Sequence, residues 1–240
     1  DLWGGFADRE RTRPWRRDTL ANVYSTTKGI TAIAAHQLVE RGELELDAPV
    51  ARYWPEFAQK GKASIPVRML LNHRAGLAAV TRPLAPEDLF DWSTMTRALE
   101  EQEPWWEPGA DHGYHALTYG WLVGELIRRV SGMSVGRYVR EHIAAPLGAE
   151  FWIGLPEELD ARTAELHQGP ISSDGPNLME RIAAEPEGVL AKAFGNPPLL
   201  LMSPNTRAWR AAELPAANGH TTAPALARIY AALASGGELD

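Results

Sequence analysis

Tyr24-Ser25-Thr26-Thr27-Lys28-Gly29 opens the most regular stretch of this chain, and its reading decides the rest. Over residues 25–41 the apolar residues Ile30, Ile33, Ala34 and Leu38 recur at helical spacing, and Gly42 is a stop signal. Positions i and i+3 share a helix face, so the hydroxyl of Ser25 and the amine of Lys28 can meet at the helix entrance. A serine hydroxyl is a weak nucleophile until a neighbouring base takes its proton; a neutral amine can do that, or help another group to do it. Of the 24 basic residues only four are lysines: Lys28, Lys60, Lys62 and Lys192. A chain that takes most of its positive charge from arginine, yet sets a lysine beside a serine, points to use of a titratable amine. The plain alternative is a solvated lysine in the first turn of a helix. Gly29 costs a helix interior about 1 kcal/mol relative to alanine, which close packing against another element would explain.

Composition narrows the function classes. The 240 residues suffice for one large domain or two modest ones, and 45% hydrophobic with 23% charged residues is ordinary for a globular protein. A net charge of −7 leaves no basic footprint for nucleic acid. With no cysteine, disulfides, thiolate metal sites and cysteine nucleophiles are excluded. No apolar run reaches the roughly 18 residues of a membrane span. The first residues do not read as a signal peptide, so a cytoplasmic location is expected, although the lack of an initiator Met leaves the compartment open.

Along the chain the pattern is mostly helical. Residues 2–7 are expected as a short strand, 9–17 (five Arg and Pro14) as an exposed loop, and 19–24 as an extended approach to Ser25. A short helical turn is expected at 47–50. Helices are expected at 65–73 with Pro66 in the first turn, from Ser93 as cap to about 102, over 116–130, from Ser134 as cap to about 145, and over 223–234. Trp105-Trp106-Glu107-Pro108-Gly109 reads as a turn, and residues 155–220 as irregular. Periodicity alone gives too few strands for a sheet.

A second constellation is Gly113-Tyr114-His115-Ala116, which stands between the Trp-rich turn and a strong helix. A phenol at such a junction can project into a cleft and act as general base towards a serine hydroxyl; a tyrosine packed at a helix start is the alternative. His112 and His115 have H-x-x-H spacing, but a metal site needs further ligands, and no metal or cofactor is expected. His73 is read as a structural support at a helix end and Glu107 as a general-acid candidate, while Asp174 and Asn177 fall in the irregular stretch.

These pieces together resemble the serine β-lactamase-like hydrolases: class C β-lactamases, DD-peptidases and family VIII carboxylesterases. They occur in family order as Tyr24-Ser25-Thr26-Thr27-Lys28-Gly29, Leu70-Leu71-Asn72-His73-Arg74-Ala75-Gly76-Leu77, Trp106-Glu107-Pro108-Gly109, and Gly113-Tyr114-His115-Ala116 with Gly120-Trp121-Leu122-Val123-Gly124-Glu125. The S-x-x-K spacing is a mark of that group. The resemblance implies an α/β (α+β) fold of β-lactamase/transpeptidase type, with an antiparallel sheet flanked by helices and a helical subdomain at roughly 45–150. It implies Ser25 as acylated nucleophile, Lys28 as its activating partner and Tyr114 as general base. Trp105, Trp106, His115 and Ala116 are read as substrate-side residues, the two tryptophans as an acyl-pocket lining whose alternative is packing on the core. Where lactam-directed members carry Tyr-x-Asn, this chain has Ala116, which has no amide to offer a lactam side chain; the pattern is nearer the esterase branch. The family's Lys/His/Trp-x-Gly strand is expected after residues 223–234 and is not found by Asp240, so residues 1–240 are read as one incomplete domain lacking terminal strands. The expected function is hydrolysis of a small carboxylic ester, with no nucleic-acid partner and the oligomeric state left open. The alternatives are a β-lactamase or D-alanyl-peptide hydrolase, and a non-catalytic module that keeps the fold.

Overall fold

The extended approach to Ser25 is formed, and it belongs to a sheet. In chain order the elements are β1 (Ala21–Asn22), α1 (Thr27–Glu40), α2 (Val67–Leu71), α3 (Trp92–Glu101), α4 (Thr118–Ser131), α5 (Val135–Val139), β2 (Phe151–Trp152), α6 (Leu178–Ala184), α7 (Val189–Gly195), α8 (Arg207–Ala211), β3 (His220–Thr221) and α9 (Ala223–Ala234). They come from a computed structural model that describes residues 1–167, 169, 178–199 and 202–235. The chain divides into two units, one of Asp1–Glu45, Val123–His167 and Ser203–Asp240, the other of Leu46–Leu122 and Gln168–Met202, with the division falling inside α4.

In the first unit, β3 is the central strand of an antiparallel sheet of order β1-β3-β2. Thr221 pairs with Ala21 and Phe151, and His220 with Asn22 and Trp152. The sheet corrects the reading from periodicity. Each strand is two residues long, too short for the alternation that marks a strand in sequence. The expected strand at 2–7 is absent. Phe6 makes one isolated bridge to Pro14, whose missing N–H cannot extend a ladder. Leu20, Ile30, Leu38, Val139, Ile143, Phe151, Trp209 and Ile229 are fully buried and form the core of this unit. Ser134 caps α5 as expected, accepting from Arg137 N–H, and Thr222 caps α9 in the same way from Ala225 N–H. Gly29 is explained by packing: a Cβ there would lie 2.0 Å from the Tyr230 hydroxyl of α9.

In the second unit, Trp54, Phe57, Ile65, Leu70, Leu77, Leu89 and Leu99 form the core. The cap of α3 is Asp91 rather than Ser93. The Asp91 carboxylate accepts from Thr94 N–H at 3.0 Å and from the Ser93 hydroxyl at 2.7 Å, so the charged acceptor takes the cap and the serine serves it. Lys62 is fully buried. Its ammonium donates to the carbonyls of Glu100 (2.8 Å) and Gln102 (2.6 Å), meeting carbonyls at the end of α3 that have no partner within the helix. Burial, helped by nearby Lys60, pushes its pKa down to about 8. The stretch 155–220, read as irregular, contains α6, α7 and α8, none longer than seven residues.

Thr27 ties the entrance of α1 to the sheet. It is fully buried; its hydroxyl accepts from Gly219 N–H at 2.8 Å and donates to the Tyr24 carbonyl at 2.5 Å. Thr27→Val keeps the shape but leaves a buried N–H unmet. It is expected to lower unfolding stability by about 1–3 kcal/mol, read from a urea midpoint, with Thr27→Ser recovering most of the loss.

Candidate active site

The chain enters α1 through a strained residue. Tyr24 has φ 42°, left-handed for a bulky side chain. Val23 N–H still donates to Gly219 O at 2.8 Å, and one residue later Thr26 N–H and Thr27 N–H turn back to the carbonyls of Val23 and Tyr24. The turn delivers Ser25 to the exposed mouth of the helix, while Thr27 and Lys28 point inward and are buried. Lys28 Nζ lies 3.1 Å from Ser25 Oγ and donates to the Ala216 carbonyl at 2.9 Å. The two groups that the i, i+3 spacing pairs are thus within hydrogen-bond reach.

Residues 214–219 hold this corner. Thr31 donates to Pro215 O at 2.7 Å, and Asn22 Nδ2 donates to the carbonyls of Ala217 and Gly219. Asn218 is fully buried: its Oδ1 accepts from Leu214 N–H, and its Nδ2 donates to Trp209 O and Ala212 O. Sequence reasoning missed the Ala216 carbonyl and Asn218. Asn218-Gly219 was the available signal, a pair that favours turns.

Burial pushes the Lys28 pKa down to about 7. As an ammonium it donates to both oxygens. As a neutral amine it can accept from the Ser25 hydroxyl while one N–H stays on Ala216 O, so the side chain keeps its aim through a proton transfer. His220, buried in β3, is also shifted: burial first, and then the Arg210 guanidinium, push its pKa down to about 4, so it is neutral at pH 7.

In the second unit, Tyr114 is about half exposed, and its ring packs on His73 with centroids 5.1 Å apart. His115 is fully buried beside it, and Ala116 is nearly so. Trp106 is half-buried and meets the His115 ring edge-on at 6.0 Å; Trp105, also half-buried, donates its indole N–H to Ala79 O at 2.9 Å. His73, Trp106, Tyr114 and His115 are therefore one cluster, with Trp105 bonded elsewhere. Both ring nitrogens of His115 are used within the unit, by Gly113 O and Leu77 N–H, and His112 is exposed. Glu107 is exposed, and Asp174 and Asn177 lie outside the described residues. Among the described residues, no three His, Asp or Glu side chains are grouped to hold a metal ion, and no helix is long and apolar enough to cross a membrane.

Known proteins are similar to this chain in sequence and fold. The model of the Beta-lactamase family matches residues 1–240. Esterase/beta-lactamase LipL of Mycobacterium tuberculosis is 38% identical over 254 residues, covering 100% of this chain and 56% of that protein. The crystal structure of a family VIII carboxylesterase is similar with TM-score 0.87 and 43% identity, over 100% of this chain and 62% of that one. A penicillin-binding protein homolog from Caulobacter crescentus is similar with TM-score 0.87 and 41% identity, over 99% and 61%. The chain spans about half the length of the curated relatives it matches. The fold is the β-lactamase/transpeptidase type, rich in helix around a small antiparallel sheet.

The Lys28 shift has a stability consequence with a definite sign. Its folded pKa of about 7 lies below the ordinary 10.5. Between those values the unfolded chain binds the extra proton, so stability rises with pH across that window. Lys28→Met removes this slope. The variant is expected to gain on the parent most at pH 6, with the difference shrinking towards pH 9.5, as read from urea midpoints at both pH values.

Proposed function

The chain belongs to the β-lactamase family, and on that premise we propose that it serves hydrolysis of small carboxylic esters through an acyl-enzyme on Ser25. The observation that carries this reading is the Lys28 amine, 3.1 Å from Ser25 Oγ in a buried setting that brings its pKa to about 7. Near neutral pH about half of such lysines are unprotonated, and a neutral amine at that distance can relieve the serine of its proton.

In the proposed sequence, Ser25 Oγ attacks the ester carbonyl as its proton passes to the Lys28 amine, with Tyr114 assigned as a further general base. The tetrahedral oxyanion accepts a hydrogen bond from Ser25 N–H. Collapse expels the alcohol, which takes up the proton, and leaves the acyl group on Ser25. Water, deprotonated by the same groups, then releases the acid and restores the hydroxyl. Trp105 and Trp106 are assigned to the acyl side, with His115 and Ala116 beside Tyr114. Ala116 favours ester over lactam, because a methyl group has no hydrogen bond to give a lactam side chain. The name of the family VIII carboxylesterase supports ester hydrolysis, while that of LipL covers both esterase and β-lactamase.

A fluorophosphonate probe is expected to label the protein and to lose all labelling in Ser25→Ala; labelling that survives the substitution refutes the nucleophile. Turnover of a short nitrophenyl ester is expected to exceed that of a chromogenic cephalosporin, and the reverse order sinks the esterase reading. Below pH 8, kcat/KM is expected to rise as pH passes about 7 and Lys28 loses its proton. Lys28→Arg, which stays charged, is expected to lower turnover by about 10²-fold or more and to abolish that limb.

A further inference from the structure

His73 and His115 close a ring of hydrogen bonds around the backbone that carries Tyr114. His73 has φ 63°, left-handed, just beyond α2. Its carbonyl accepts from Gly113 N–H at 3.1 Å, and its ring Nδ1 accepts from His115 N–H at 3.2 Å. The buried His115 ring answers from the other side. Its Nδ1 lies 2.6 Å from Gly113 O, and its Nε2 accepts from Leu77 N–H at 3.1 Å. A carbonyl only accepts and an amide only donates. His115 is thereby fixed as the neutral ring protonated on Nδ1, and His73 must present a lone pair at Nδ1. Gly113 and His115, the neighbours of Tyr114 on both sides, are each tied to His73 by a backbone N–H. The phenol itself lies against the His73 ring at an interplanar angle of 54°, and Tyr119 packs on the same imidazole at 5.2 Å.

We propose that His73 and His115 are positioning residues for Tyr114, fixing the backbone on both sides of the phenol and, through the His73 ring, its direction. The inference rests on the reading of Tyr114 as a proton carrier for the reaction at Ser25. Misplacing such a group by about 1 Å can cost about 10²-fold in rate. With both His115 nitrogens engaged by backbone, its part is to hold the loop rather than to bind substrate. The left-handed φ of His73 follows from the same demand, because it turns the residue so that its carbonyl and its Nδ1 face residues 113 and 115 together.

The test uses two esters of one acid. A nitrophenolate leaves without a proton, whereas an ethoxide needs one. His73→Gly accepts the left-handed φ but removes both acceptor and ring. It is expected to lower kcat on the ethyl ester by about 30–100-fold, with KM within about threefold, and to cost the nitrophenyl ester about tenfold less. His73→Asn tolerates the same φ and offers an amide oxygen in place of Nδ1 but no ring; it is expected to recover the larger part of the loss, the remainder being the share of the ring. If His73→Gly does not fold, His73→Leu, which keeps bulk and loses the acceptor, gives the same contrast against His73→Asn. In a Tyr114→Phe background the His73 substitution is expected to cost nothing further. Equal losses on the two esters, or losses that add in that background, overturn the positioning role. A Tyr114→Phe variant that turns over the ethyl ester at the parent rate overturns the assignment of Tyr114 itself, and this inference with it.

Discussion

The first unit is organised around one amine that has been taken out of water. Lys28 Nζ sits between an exposed hydroxyl at the helix mouth and a buried carbonyl at Ala216. A lysine placed there without partners would be costly. The carbonyl reduces that cost, and the remaining penalty is the shift that suits the group to the base role proposed for it near neutral pH. Much of the surrounding structure keeps the carbonyl in place: the two amide bonds of Asn22, the three of Asn218, and the Thr27 and Thr31 hydroxyls reaching from α1 to the segment 215–219.

The pairing of Ser25 with Lys28 was legible because it depends on side-chain identity at a fixed helical spacing. The Ala216 carbonyl was not, since a backbone acceptor leaves no mark in sequence and alanine 188 residues away names no partner. The sheet escaped periodicity because its strands are two residues long. The capping Ser134 was read correctly and Ser93 was not, because Asp91, two residues upstream, accepts from Thr94 N–H and starts the helix earlier, which places Ser93 inside its first turn. The isolated lysine rule pointed to Lys28 but passed over Lys62, whose chemistry is structural: it ends a helix by supplying donors to its last carbonyls. His115 looked like a cleft residue by its neighbours in sequence, yet the fold turns its ring inward.

Two bulky residues adopt the left-handed backbone beside the residues proposed for the reaction, Tyr24 before Ser25 and His73 against Tyr114. Such conformations cost of order 1–3 kcal/mol each and persist only where the surroundings over-determine them. At Tyr24 the surroundings are the bonds of Val23 and Thr27 to Gly219; at His73 they are the bonds to Gly113 and His115. In both places strain near the chemistry is offset by backbone hydrogen bonds, which hold a direction better than apolar packing does.

The contact of Gly29 with Tyr230 couples two positions that are far apart in sequence. A side chain at position 29 and a tyrosine at position 230 claim the same space, although 201 residues separate them. A side chain at residue 29, a better helix former next to Lys28, requires the exposed Tyr230 ring to swing its hydroxyl end aside. A variant with a smaller residue 230 and glycine still at 29 keeps the helix cost and loses the packing. The two positions are therefore coupled, and a mutational survey of either site alone would misjudge what the other tolerates.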